Sequence, residues 1–92
     1  MGVTLTGQLI CANAAEAARV RAALDAHIRL TRAEPGCLSF TVVPTDDPLI
    51  WQVDEAFTDA AAFEAHQARA EGSDWARQTA GIERRYTVNG LT

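Results

Sequence analysis

The chain has 92 residues, with 8 Arg and no Lys against 12 Asp and Glu, for a formal net charge of −4. That is the length of one domain, residues 1–92, whose buried fraction is modest enough that packing against a second copy would add stability. The acidic balance, with no Arg cluster larger than Arg84-Arg85, argues against nucleic acid as a partner, and no apolar run approaches the roughly 18 residues of a membrane span.

Val3 to Cys11 alternates Val3, Leu5, Gly7, Leu9 and Cys11 against Thr4, Thr6, Gln8 and Ile10, which predicts a half-buried strand. Gly7 at its centre leaves room over the sheet, either for a closely packed helix or for an approaching ligand. Asn13 then caps a helix from Ala14 to about Ala33, with Ala17, Val20, Leu24, Ile28 and Thr31 on one stripe and Arg19, Asp25, Arg29 and Arg32 opposite. His27 falls at the edge of the apolar stripe, where a His bonded to a backbone group is commoner than a catalytic one. Glu34-Pro35-Gly36 stops the helix, because Pro cannot continue it and the residue before Pro is pushed out of the helical region.

A second strand follows from Cys37 to Val43, with Leu38, Phe40 and Val42 on one face and Cys37, Ser39 and Thr41 on the other. Pro44-Thr45-Asp46-Asp47-Pro48 is turn chemistry, so this strand forms a hairpin with the next. From Leu49 to Phe57 the period is again two, placing Trp51, Val53, Glu55 and Phe57 on one face and Ile50, Gln52, Asp54 and Ala56 on the other. At Thr58 the period changes: Thr58 can cap a helix, Asp59 favours its first turn, and Ala62, Phe63, His66 and Arg69 recur at helical spacing. Glu71-Gly72-Ser73 ends that helix, Asp74 to Thr79 forms a short helical piece carrying Trp75, and Ile82 to Val88 closes the chain as a strand.

The order strand, helix, strand, strand, helix, strand predicts an α+β ferredoxin-like sandwich, βαββαβ, with both helices on one face of a four-stranded antiparallel sheet. In that topology the third strand lies between the first and second, which separates Cys11 from Cys37 beyond the reach of a disulfide. Two free thiols fit a cytoplasmic chain. His27 and His66 are isolated, with no Cys or second His at ligand spacing, so no metal site is expected. No phosphate-cradling Gly loop points to a flavin or nicotinamide, so no cofactor is expected either.

The segments EPGCLSF, WQVDEAF and FTDAAAFEAHQA resemble the antibiotic biosynthesis monooxygenase domains of the dimeric α+β barrel superfamily, over nearly the whole chain. The resemblance implies a homodimer made by packing two sheets face to face, with a pocket in each subunit between the sheet and its helices. It carries the family's recurring strand Glu to Glu55, the aromatic two residues later to Phe57, and the helical His to His66. Haem-degrading members use an Asn on the first strand and a Trp on the third, where this chain has Thr6, Gly7 or Gln8 and Phe57, so the resemblance does not extend to haem.

Oxygenation without a cofactor needs an electron-rich phenol or hydroquinone whose deprotonated form can pass an electron to dioxygen, together with an apolar pocket, a base and an oxyanion partner. Trp51, Phe57, Phe63 and Trp75, with Gly7, can form the walls, and His66 is the natural base because its unperturbed pKa lies near 6.5. A buried Glu55 needs a partner, and His66 or an Arg can supply it. The leading expectation is therefore a cofactor-independent monooxygenase acting on a small aromatic substrate and dioxygen, with His66 as base or oxyanion partner and Glu55 orienting it. A non-catalytic domain that binds a small apolar ligand, or an isomerase or decarboxylase using the same pocket, are the alternatives. Arg84 and Arg85 point to opposite faces, and either can meet an acidic substrate group or a partner subunit.

Overall fold

The computed structural model describes residues 2–91, in the order β1 (Val3–Ile10), α1 (Ala14–Arg32), β2 (Cys37–Pro44), β3 (Ile50–Phe57), α2 (Ala60–Glu71), α3 (Asp74–Gln78) and β4 (Glu83–Asn89). The four strands form one antiparallel sheet in the order β2-β3-β1-β4, the ferredoxin-like arrangement that the alternation of elements predicts. Val3, Leu5 and Leu9 of β1 and Trp51, Val53 and Phe57 of β3 turn inward and meet Ala17, Val20 and Leu24 of α1 and Phe63 of α2. Glu55 is the one charged side chain that this inward face of β3 carries.

Helix α1 starts where the Asn13 side chain accepts the Glu16 amide at 2.9 Å, while the Glu16 carboxylate accepts the Ala12 amide at 2.6 Å. Helix α2 starts at Asp59, whose side chain accepts the Ala62 amide at 2.8 Å, so the cap is Asp59 and Thr58 lies before it. Among the described residues no helix is long and apolar enough to cross a membrane.

Strand β2 departs from strict alternation. A bulge between Cys37 and Ser39 leaves Leu38 64 % exposed and turns Cys37 toward the core, opposite Phe57. The expected faces of Cys37 and Leu38 are thus exchanged, because one extra residue reverses the parity of everything on its far side. Cys11 and Cys37 are free thiols. The register sets them at opposite ends of the sheet: Cys37 lies opposite Phe57, and Cys11 follows Ile10, which pairs with Ile50.

The turn between α1 and β2 depends on Gly36, whose φ of 86° is the left-handed region that side chains other than Gly avoid. Its carbonyl accepts the Thr58 amide at 2.8 Å, and an added Cβ would stand 2.5 Å from Ala62 Cβ and 2.8 Å from Thr58 Oγ1. Substitution Gly36→Ala should therefore destabilise the fold by about 2–4 kcal/mol through backbone strain and overpacking, read as a lower midpoint in urea. The same turn holds the C-terminal end of α1 close against α2, and the chemistry described next depends on that closeness.

Candidate functional site

Between the sheet and its helices lies a cavity of about 280 Å³. Its floor is Leu5 of β1, Glu55 of β3, and Arg84 and Tyr86 of β4. Its roof is His27 of α1, His66, Gln67, Ala70 and Glu71 of α2, and Trp75 and Ala76 of α3. The register explains the floor, since Leu5 pairs directly with Glu55 and Gly7 with Tyr86, so one inward-facing patch spans three strands.

His66 is held from outside this cavity. Its Nδ1 lies 2.7 Å from Glu34 Oε1, and Arg69 clamps the same carboxylate, with Nε 3.2 Å from Oε2 and Nη2 3.2 Å from Oε1. His66 and Arg69 are three residues apart on α2 and so share a face, and Glu34 reaches them from the turn fixed by Gly36. Arg69 Nη2 also donates to Thr31 Oγ1 at 3.0 Å, tying the network to α1. Burial alone would raise the Glu34 carboxyl, but the hydrogen bonds from Arg69 and His66 outweigh it and hold Glu34 below its ordinary range. Glu34 accepts a hydrogen bond from Nδ1, which turns Nε2 of His66 to the other side of the ring.

On that side, Glu55 Oε1 lies 3.8 Å from His66 Nε2, too far for a hydrogen bond. The expected Glu55–His66 pair is thus present as a contact, but Glu34 does the orienting that was expected of Glu55. Glu55 is 8 % exposed and its Oε1 has no hydrogen-bond partner among the described residues. Burial, reinforced by the negative charge of Glu34, pushes its pKa up to about 7. The result is a carboxyl group in a cavity wall, poised between its neutral and ionised forms near neutral pH. An oxygen placed 2.7–2.8 Å from each of two atoms 3.8 Å apart sees them at roughly a right angle, so one ligand hydroxyl can bond Glu55 and His66 Nε2 together.

His27 forms the adjoining wall. Its ring is stacked on Trp75 with centroids 4.5 Å apart and an interplanar angle of 1°, and it meets Phe40 edge-on at 5.3 Å. Burial, followed by the positive charges of Arg69 and His66, lowers its pKa to about 3, so His27 is a neutral aromatic surface at physiological pH. Tyr86 has its hydroxyl pKa pushed up by burial, with Arg84 opposing the shift.

Of the residues singled out in the sequence, the structure brings His66, Glu55 and Trp75 into the cavity wall. Phe57 lies behind it, with its ring centroid 5.1 Å from that of His66, and Phe63 packs edge-on against Phe57 at 5.7 Å. Trp51 is buried near the far end of β3, opposite Leu9 and Pro44, and does not line the cavity. Gly7 does not line it either: an added Cβ would stand 2.8 Å from Tyr86 Cα, so the backbone of β4 occupies the room that the missing side chain leaves. Arg84 faces the cavity, whereas Arg85 lies on the open face of the sheet and pairs with Glu83 at 2.6 Å. Glu34, Arg69, His27 and Tyr86 were not read as site residues. For His27 a signal exists, since Val20, Leu24, His27 and Thr31 step along one buried stripe at spacings of three and four. For Glu34 none exists, because its partner lies 32 positions away.

The sequence profile of the family described as Antibiotic biosynthesis monooxygenase matches residues 9–78. No curated protein matches the sequence. Among solved structures, a candidate antibiotic biosynthesis monooxygenase from Nitrosomonas europaea superposes with a TM-score of 0.81 at 22 % identity, covering 98 % of this chain and 97 % of that one. SnoaB, a cofactor-independent oxygenase from Streptomyces nogalater, superposes with a TM-score of 0.79 at 14 % identity, covering 99 % and 93 %. Rv0793 from Mycobacterium tuberculosis gives a TM-score of 0.77 at 21 % identity, covering 100 % and 96 %. At these identities the likeness is one of fold.

Proposed function

The chain belongs to the antibiotic biosynthesis monooxygenase family, and from that premise we propose that it is a cofactor-independent monooxygenase acting on a small phenolic or hydroquinone-type ring. The observation that carries this reading is Glu55, a buried carboxyl whose Oε1 has no hydrogen-bond partner among the described residues, raised to a pKa of about 7 and set in the wall of a 280 Å³ cavity. A proton acceptor tuned near neutral pH is what activation of a phenol requires. The cavity is at the small end of ligand sites, which run from about 300 Å³ upward, and so fits a compact aromatic.

In this mechanism the substrate hydroxyl enters between Glu55 and His66 Nε2, and ionised Glu55 takes its proton. His66, fixed through Nδ1 by Glu34, keeps the oxygen in place and stabilises the phenolate by donating an Nε2–H to it. The phenolate passes an electron to dioxygen, and the two radicals combine at an unsubstituted ring carbon ortho or para to the oxygen. Loss of that carbon's hydrogen and cleavage of the O–O bond then give a quinone, with one oxygen atom newly bonded to the ring and the other leaving as water. The hydroxyl hydrogen and the ring hydrogen complete that water, and the four-electron oxidation of the ring to a quinone supplies the full four-electron reduction of dioxygen. The description of SnoaB as a cofactor-independent oxygenase supports this chemistry on the shared fold. Turnover under isotopically labelled dioxygen tests it: one labelled atom in the quinone is expected, and formation of hydrogen peroxide with no label in the ring would replace oxygenation by simple oxidation.

The acting unit is a homodimer joined through the sheet face opposite the helices. There, between β2 and β3, Ser39 pairs with Ala56, Thr41 with Asp54 and the 47 % exposed Val43 with Gln52, a face of small and uncharged side chains around a single carboxylate that Thr6 and Gln52 already bond. Sedimentation at micromolar concentration is expected to return about twice the mass of one chain, and a monomer would remove the interface. The two free thiols suit a cytoplasmic setting.

A further inference from the structure

Arg84 is the cation of the cavity that the mechanism above does not use. It lines the floor beside Tyr86, yet its guanidinium is bonded to neutral acceptors. Nη1 donates to the carbonyls of Thr79 at 3.2 Å and Ile82 at 3.0 Å, and Nη2 donates to Thr79 Oγ1 at 2.7 Å. Thr79 is fully buried and its hydroxyl also donates to the Trp75 carbonyl at 2.7 Å, so the turn between α3 and β4 holds the guanidinium rigidly. Both Nη1 hydrogens and one on Nη2 are used. The edge made by the Nε hydrogen and the second Nη2 hydrogen is not committed to a backbone or carboxylate acceptor among the described residues; the neighbouring Tyr86 hydroxyl is the one neutral group that Arg84 also reaches. That edge is the fork which grips a carboxylate through two parallel hydrogen bonds.

The other charged groups around the cavity do not answer this cation. Glu34 is taken by His66 and Arg69, Glu55 sits at a pKa of about 7 and is largely uncharged below it, and Glu71 on the α2 wall makes no ion pair with Arg84 within 4.0 Å. We infer that the substrate carries a carboxylate as well as its phenolic hydroxyl, the carboxylate seated on the open edge of Arg84 and the hydroxyl between Glu55 and His66. The substrate class narrows to hydroxylated aromatic acids. The inference rests on the reading of this cavity as the substrate site, and its test uses binding alone, so it can fail while oxygenation holds, or hold while oxygenation fails.

Trp75 lines the cavity and reports occupancy by fluorescence. Under anaerobic conditions, gentisate, a hydroquinone bearing one carboxylate, is expected to quench it saturably, and its methyl ester to bind about ten- to hundredfold more weakly. Arg84→Gln should lose about the same factor for gentisate and almost nothing for the ester. Arg84→Lys, which keeps the charge but not the fork, should fall between them. If Arg84→Gln does not fold, the acid and ester on the parent protein and the Lys variant still decide the matter. Equal affinity of acid and ester, undiminished binding of gentisate by either variant, or no saturable quenching by gentisate at millimolar concentration would each overturn the inference.

Discussion

Replacing Glu55 by Gln is expected to lower kcat by about 10²–10⁴ while making the folded protein more stable at alkaline pH. Gln keeps the size of the side chain and removes the proton acceptor. The stability effect follows from a folded-state pKa raised from 4.5 to about 7. Below about pH 4.5 the carboxyl is neutral whether the chain is folded or not, and it costs nothing. As pH rises through the interval up to about 7 the unfolded chain ionises first, so native stability falls, and above about 7 the full penalty is present. At roughly 1.36 kcal/mol per pH unit that penalty is about 3 kcal/mol. Allowing for an amide with few partners, Glu55→Gln should gain about 1–3 kcal/mol near pH 9 and nothing below pH 4. Urea titrations at the two pH values, beside steady-state rates, check both halves. A variant that loses activity and stability together would mark Glu55 as a structural residue.

The second large effect is expected at Glu34, which does not itself line the cavity but holds His66, which does. Glu34→Gln leaves Arg69 without its countercharge and His66 Nδ1 with a weaker partner, and should cost about 1–3 kcal/mol at neutral pH. The figure lies below the 3–5 kcal/mol of a fully buried pair because the Glu34 side chain is 17 % exposed. Glu34 has its folded pKa lowered, so its contribution is present above the unfolded value of 4.5 and fades as pH falls below it. The loss caused by the substitution should fade with it. The rate should drop by about 10–10²-fold through misplacement of His66. A further consequence separates this from a merely structural defect: Glu34 is one of the causes that raise Glu55, so the midpoint of the pH–rate profile should move below about 7 in the variant. An unmoved midpoint would mean that the two carboxyl groups do not communicate.

The contrast between these two residues shows what the sequence could and could not convey. Glu55 was legible because β3 alternates cleanly and a single acidic residue on an apolar face has to be explained. His66 was legible because the helical spacing after Asp59 places it one turn from Phe63. Glu34 was read only as part of a helix stop, since local pattern holds no trace of a partner 32 residues on, and the positive φ of Gly36 that brings the two together is a fact of backbone geometry. The bulge at Leu38 was hidden for a similar reason: the alternation of Cys37 to Val43 is equally regular in either parity, and only pairing with β3 sets it. Trp51, Phe57 and Phe63 were grouped with Trp75 as aromatics, but distance along the sheet separates core from cavity wall, and composition does not record that distance.

The central claim is that oxygen is activated by deprotonation of the substrate at Glu55. Oxygen uptake by chelator-treated protein, followed with a panel of phenols and hydroquinones across pH 5–9, tests it most directly. The parent protein should consume oxygen faster than the spontaneous reaction, with a rate that rises through a midpoint near 7 and then levels. Glu55→Gln should return to background at every pH while Trp75 still reports ligand binding. No uptake above background from any member of the panel, or a Glu55→Gln protein as active as the parent, would contradict the account.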